Sequence, residues 1–158
     1  MAPNNLISGA LYKIISVQSG KVLSLSPTEI TTVEALRDIN ADYQIWRAED
    51  VGDGWQWALR CLKELNGKPL YLSWPGTEPY RGLPLVGSSH EKTGWDIKSW
   101  ETHGGAEHRI WVHGAPSPGT VVDLKDGSPE EGATIQLWAS NNTASQFWLF
   151  QETKKPSN

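Results

Sequence analysis

Apolar and polar residues alternate in short bursts along this 158-residue chain, and Gly, Pro, Asn and Asp gather between the bursts. Residues 12–17, 57–62 and 108–113 each read as a half-buried strand, because side chains alternate between faces in extended backbone. A second strand led by glycine follows each of them, at 20–25, 67–72 and 119–124. A third comes at 32–36, 84–88 and 134–138, and turn signals such as Gly52-Asp53-Gly54 and Gly104-Gly105 separate the copies. No stretch carries a 3.6-residue apolar period, so the pattern predicts an all-β chain.

A fourth strand closes each copy with the motif Gln-x-Trp. It reads Gln44-Ile45-Trp46 in the first, a degraded Lys98-Ser99-Trp100 in the second and Gln146-Phe147-Trp148 in the third. The three tryptophans lie 54 and 48 positions apart, about a third of the chain each. Four strands in three copies make twelve. The repeats fall at about 9–54, 55–105 and 106–152, with a polar tail at 153–158, inside one domain spanning 1–158. One such copy cannot bury its apolar face alone, so the three are expected to close around a shared core. Trp46, Trp100, Trp148, Trp111, Phe147, Leu59 and Ile110 are the expected core residues.

Composition agrees with short strands and turns: 9 Trp, 15 Gly and 10 Pro. The formal net charge is −4, and the longest Lys/Arg run is the pair Lys154-Lys155, so no basic stripe for nucleic acid is present. No apolar run approaches the ~18 residues of a membrane helix. The stretch after Met1 lacks the basic and apolar regions of a signal peptide, and the single cysteine, Cys61, permits no internal disulfide. A cytoplasmic protein is the expectation, in which the sequon Asn141-Asn142-Thr143 would be silent. No nucleophile elbow, phosphate loop or dinucleotide fingerprint occurs, so neither an enzyme nor a cofactor is expected. His108 and His113 are an odd number apart on a predicted strand and face opposite ways, which argues against a metal site. Cys61 sits in an apolar strand and reads as a small buried hydrophobe.

Three Gln-x-Trp copies at repeat spacing, with aligned strands between them, resemble the ricin-B-type β-trefoil lectins. The resemblance covers about residues 9–152 and is closest in the third repeat. One cysteine and no leader look more like the small cytosolic lectins of mushrooms than the secreted toxin subunits. The resemblance implies a β-trefoil with pseudo-threefold symmetry that binds galactose or N-acetylgalactosamine on glycoproteins or glycolipids. A homodimer is an expectation too, since agglutination needs more than one site per particle.

The sugar site implied by the resemblance needs an Asp on the second strand as hydroxyl acceptor and an aromatic after the third to cover the apolar sugar face. The first repeat offers Ser24 and Leu36 at those positions, and the second Tyr71 and Ser88. The third offers Asp123 and Trp138, with Gln136 beside them and Asn141 and Asn142 in the following loop. Asp123 would accept from two hydroxyls, Trp138 would stack, Asn141 or Asn142 would complete the rim, and Gln146 would orient Asp123. The chain departs from the family in having Ser145, not Asn, before the closing Gln.

A long polar excursion in the second repeat, residues 73–94, leads to Trp95. It suggests a further glycan site at Trp74, Tyr80 and Trp95, the alternative being that the loop packs on itself. A competing function is protease inhibition through exposed loops at 26–32, 73–82 and 114–119. That function would give the chain no reason to keep the third-repeat constellation.

Overall fold

The computed structural model describes residues 5–99 and 107–156, and within them the chain forms twelve antiparallel strands. The first repeat supplies β1 (Leu11–Ser16), β2 (Val22–Leu25), β3 (Val33–Leu36) and β4 (Trp46–Gly52). The second supplies β5 (Gln56–Leu65), β6 (Lys68–Ser73), β7 (Val86–Ser88) and β8 (Trp95–Ser99). The third supplies β9 (Glu107–Val112), β10 (Thr120–Leu124), β11 (Ala133–Ala139) and β12 (Trp148–Thr153).

The first and last strands of each repeat pair in a closed ring, β1 to β4, β4 to β5, β5 to β8, β8 to β9, β9 to β12 and β12 back to β1. A closed ring leaves no open sheet edge. The middle strands form three hairpins, β2–β3, β6–β7 and β10–β11, which cap one end of this barrel. The caps join one another where β3 pairs with β11, Thr32 bridges Val86 and Pro84 bridges Gln136. This is the β-trefoil. Among the described residues no helix is long and apolar enough to cross a membrane.

Ile14, Leu59 and Ile110, one from each repeat, are fully buried at equivalent barrel positions. Trp46, Trp95 and Trp148 are 0% exposed. Each indole N–H donates to a cap-strand carbonyl: Trp46 to Leu23 at 3.0 Å, Trp95 to Leu72 at 3.0 Å and Trp148 to Val122 at 3.2 Å. Every copy thus ties its closing strand to its hairpin with a buried hydrogen bond, each contributing about 1 kcal/mol.

The same bonds correct the reading of the second repeat. Its closing tryptophan is Trp95, in Thr93-Gly94-Trp95, and Trp100 lies outside the described residues. Position 44, a glutamine in the first copy, is a threonine in the second, and Thr93 Oγ1 lies 2.6 Å from Ser73 Oγ. Trp111, expected in the core, is half-buried instead. Its ring centre lies 5.5 Å from the Lys98 ammonium and 4.5 Å from the Arg109 guanidinium, and the ring packs against Gly119. His108 is buried, whereas the His113 ring is exposed and bonds Asp96.

Candidate functional site

The indole bonds also fix which residues are equivalent. Leu23, Leu72 and Val122 accept them, so the next residues, Ser24, Ser73 and Asp123, occupy one structural position. Cross-strand pairing agrees, since Val22, Tyr71 and Val121 oppose Ile15, Arg60 and Trp111 respectively. Tyr71 is therefore not the counterpart of Asp123; Ser73 is. The two-residue difference comes from the β5–β6 connection, a tight turn at Asn66 and Gly67 with φ of 53° and 78°. That turn lengthens the hairpin and sets Gly67 two residues further from the site position than Gly20 or Gly119.

Ser24 and Ser73 are buried, and each hydroxyl donates to the carbonyl of the following residue, at 2.8 and 3.4 Å. Glu34 and Val86 stand opposite them, and Leu36 and Ser88 two residues further on. Of the three repeats, the third alone combines a carboxylate at the first position with an aromatic at the last.

Asp123 is buried on β10, directly opposite Gln136 on β11. Gln136 Nε2 donates to Oδ2 at 2.9 Å, and Ser145 Oγ donates to Oδ1 at 2.9 Å. A carboxylate has about four lone-pair sites, so these donors leave acceptor capacity for a ligand hydroxyl. Burial pushes its pKa above the ordinary aspartate value of 3.8, and the hydrogen bonds from Gln136, Ser145 and Gln146 partly offset that rise.

Trp138 lies two residues beyond Gln136 on the same face of β11 and is 41% exposed, although it is the largest type of apolar side chain. Asp123, Gln136, Trp138 and Asn141 line one cleft of about 490 Å³, together with Thr143, Ser145 and the Lys125–Gly127 turn. Gln18, from the first repeat, also lines it, beside Gly127.

The loop between β11 and β12 explains three of its residues. Gln146 is fully buried; its Oε1 accepts from the Asn141 N–H at 2.8 Å and its Nε2 donates to the Ala139 carbonyl at 2.8 Å. Gln44 clasps the first-repeat loop in the same way, accepting from Ile39 N–H at 3.0 Å and donating to the Arg37 carbonyl at 2.9 Å. That copy has no aspartate, so the conserved geometry serves the loop. Gln146 was expected to orient Asp123; its side chain acts on the carboxylate alongside the bonds from Gln136 and Ser145, and it also holds the loop that carries Ser145. Asn141 Oδ1 accepts from Thr143 N–H and Oγ1, and Asn141 borders the cleft. Asn142 turns elsewhere, its Oδ1 accepting from Arg109 at 2.8 Å.

Ser145, which looked like a defect in the motif, is the residue that sequence reasoning missed. Its signal was present in its place beside Gln146, but a serine there reads as the loss of an amide unless the distance to Asp123 is known. The suggested second cluster does not assemble. Trp95 is in the core and Trp74 packs edge-on against it at 5.4 Å, leaving Tyr80 alone exposed. Among the described residues no group of three or more His, Cys, Asp or Glu is placed to hold a metal ion.

No protein-family model matches the sequence, and no curated protein matches it. Solved structures do. The Macrolepiota procera ricin B-like lectin in complex with lactose is 26% identical, covering 95% of this chain and 100% of its own at a TM-score of 0.82. The Rhizoctonia solani agglutinin is 22% identical over 94% of this chain and 99% of its own, with a TM-score of 0.78. A designed threefold-symmetric protein, ThreeFoil, is 19% identical over 89% of this chain and 96% of its own, at 0.75. The structural neighbours of the chain thus include a ricin B-like lectin, and all three share its fold.

Proposed function

We propose that the protein is a lectin without catalytic activity, and that it binds terminal galactose or N-acetylgalactosamine through the third repeat. The observation that carries this reading is the buried Asp123 carboxylate, with one donor on each oxygen and the exposed Trp138 ring two residues beyond its partner Gln136. Two vicinal sugar hydroxyls can donate to the carboxylate, a strong charge-assisted arrangement. The indole can cover the C–H face of the pyranose, worth about 0.5–1.5 kcal/mol beyond the area it buries. An axial hydroxyl, as in galactose, leaves one such face open while its oxygens reach the acid. The lactose in the Macrolepiota procera complex is a galactose-terminated sugar, which supports the same class here.

A monosaccharide offers few atoms, so affinity per site should be about −4 kcal/mol, in the millimolar range. A single strong site per chain means that agglutination requires a second copy. A glycan array on the wild type and on Asp123→Ala tests the reading. Binding confined to galactose- and N-acetylgalactosamine-terminated glycans, and lost in the variant, supports it; equal binding by both proteins refutes the third-repeat assignment.

A further inference from the structure

The second-repeat excursion, left unexplained by the Asp123 cleft, docks beside it. Gly82 N–H donates to the Leu137 carbonyl at 2.7 Å, Leu137 N–H to the Leu83 carbonyl at 2.9 Å and Leu85 N–H to the Ile135 carbonyl at 3.0 Å. The segment therefore runs along β11 as an extra short strand. A Cβ added to Gly82 would lie 3.7 Å from Cζ3 of Trp138, so the chain passes in contact distance of the indole.

Immediately before Gly82 stand Tyr80 and Arg81, which face a second cleft of about 650 Å³ across from the 112–117 segment. Tyr80 is 63% exposed, yet a local turn holds its backbone, with Leu83 N–H donating to its carbonyl at 3.3 Å. Arg81 has no ion-pair partner among the described residues. Asp96 takes Nδ1 of His113 at 3.0 Å, which leaves Nε2 of that ring for another group. An ordered, exposed aromatic with an unpaired cation and a tethered imidazole around it is the equipment for holding a sugar ring.

We infer that the two clefts form one binding surface bridged at Trp138 and Gly82, with Tyr80 stacking on an inner residue of an oligosaccharide whose terminal galactose occupies the Asp123 cleft. Arg81 and His113 then hydrogen-bond that inner residue's hydroxyls. This inference rests on the galactose reading of the Asp123 cleft and names its ligand class: galactose-terminated chains of three or more sugars. Single sugars should fill only half of the surface.

Calorimetric titration with methyl β-galactoside and with a β-galactose-terminated tetrasaccharide tests it, on the wild type, Tyr80→Ala and Asp123→Ala. The expected result is a tetrasaccharide bound about tenfold more tightly than the galactoside by the wild type. Tyr80→Ala should lose that gain while keeping the galactoside affinity, and Asp123→Ala should lose both ligands. Tyr80 is exposed, so an unchanged thermal midpoint checks that its variant is folded. A wild type that binds both ligands equally, or a Tyr80→Ala variant that keeps the gain, overturns the inference and leaves the Asp123 reading standing. A wild type that binds neither overturns both.

Discussion

Gln136 donates its side-chain amide to Oδ2 of Asp123 at 2.9 Å across directly paired positions of β10 and β11. On the other oxygen, Ser145 donates at 2.9 Å. A hydroxyl from a loop and an amide from a strand thus hold one buried carboxylate in a fixed plane, and neither depends on the other for its own position.

Removing either donor should therefore weaken sugar binding without removing the acceptor. Ser145→Ala and Gln136→Leu are each expected to lower galactoside affinity about tenfold, the scale of one hydrogen bond to a charged group. Titration calorimetry on both variants checks this, and unchanged affinity in the two would show that the carboxylate orientation does not matter.

The raised pKa of Asp123 gives the site a pH dependence with a definite sign. Sugar hydroxyls need the ionised acceptor, so affinity should fall as pH drops through the Asp123 pKa, beginning above the range of an ordinary aspartate. Stability runs the other way. A carboxyl whose folded pKa is raised stabilises the fold while protonated, and this contribution is lost as pH rises through that pKa. Relative to Asp123→Asn, the wild type should therefore gain stability on acidification while losing affinity. Denaturant melts and galactoside titrations over the same acidic range would show the two trends crossing; a parallel fall of both would contradict it.

Gln44 and Gln146 make the same pair of bonds to their loops. Alanine at either position removes both bonds to partly buried backbone groups and should cost about 1–3 kcal/mol of stability. Only Gln146→Ala should also weaken sugar binding, because its loop carries Ser145 and Asn141. Urea melts with parallel galactoside titrations separate the two effects.

The repeat architecture was legible in the chain because each strand is bounded by turn residues and each copy repeats the same apolar alternation. The third-repeat site was legible because its strands align without insertion. The second repeat was harder. Its closing motif had decayed from Gln-x-Trp to Thr93-Gly94-Trp95, while Lys98-Ser99-Trp100 kept a closer likeness at nearly the same spacing. The buried indole bond to the Leu72 carbonyl gives the closing place to Trp95. Likewise, anchoring on Gly67 placed Tyr71 at the site position, since a sequence does not reveal that a hairpin has grown by two residues. Exposure was equally hidden: Trp74, Tyr80 and Trp95 look alike in a polar stretch, but two of them serve packing.

Trp95 offers a direct check on that packing. Trp95→Ala should cost about 3–5 kcal/mol, as expected for a buried aromatic, whereas Tyr80→Ala should leave the melting midpoint within experimental scatter. Similar losses from both would mean that the excursion is part of the core.

Cys61 is buried in β5 and burial pushes its thiol up to about 12. A thiol-specific reagent at pH 8 should leave it unmodified in the native protein and label one thiol per chain after denaturation. Rapid labelling of the native protein would show that β5 opens far more readily than its place in the barrel implies.

On the proposed reading, Asp123, Gln136 and Trp138 bind a galactose-type sugar. Nitrogen–proton correlation spectra recorded during titration with methyl β-galactoside test it most directly, because two of the three residues carry an observable side-chain N–H. The Gln136 amide and the Trp138 indole signals should shift together and saturate in the millimolar range, with no shift in Asp123→Asn. Shifts clustered elsewhere on the trefoil, or identical shifts in the variant, would contradict it.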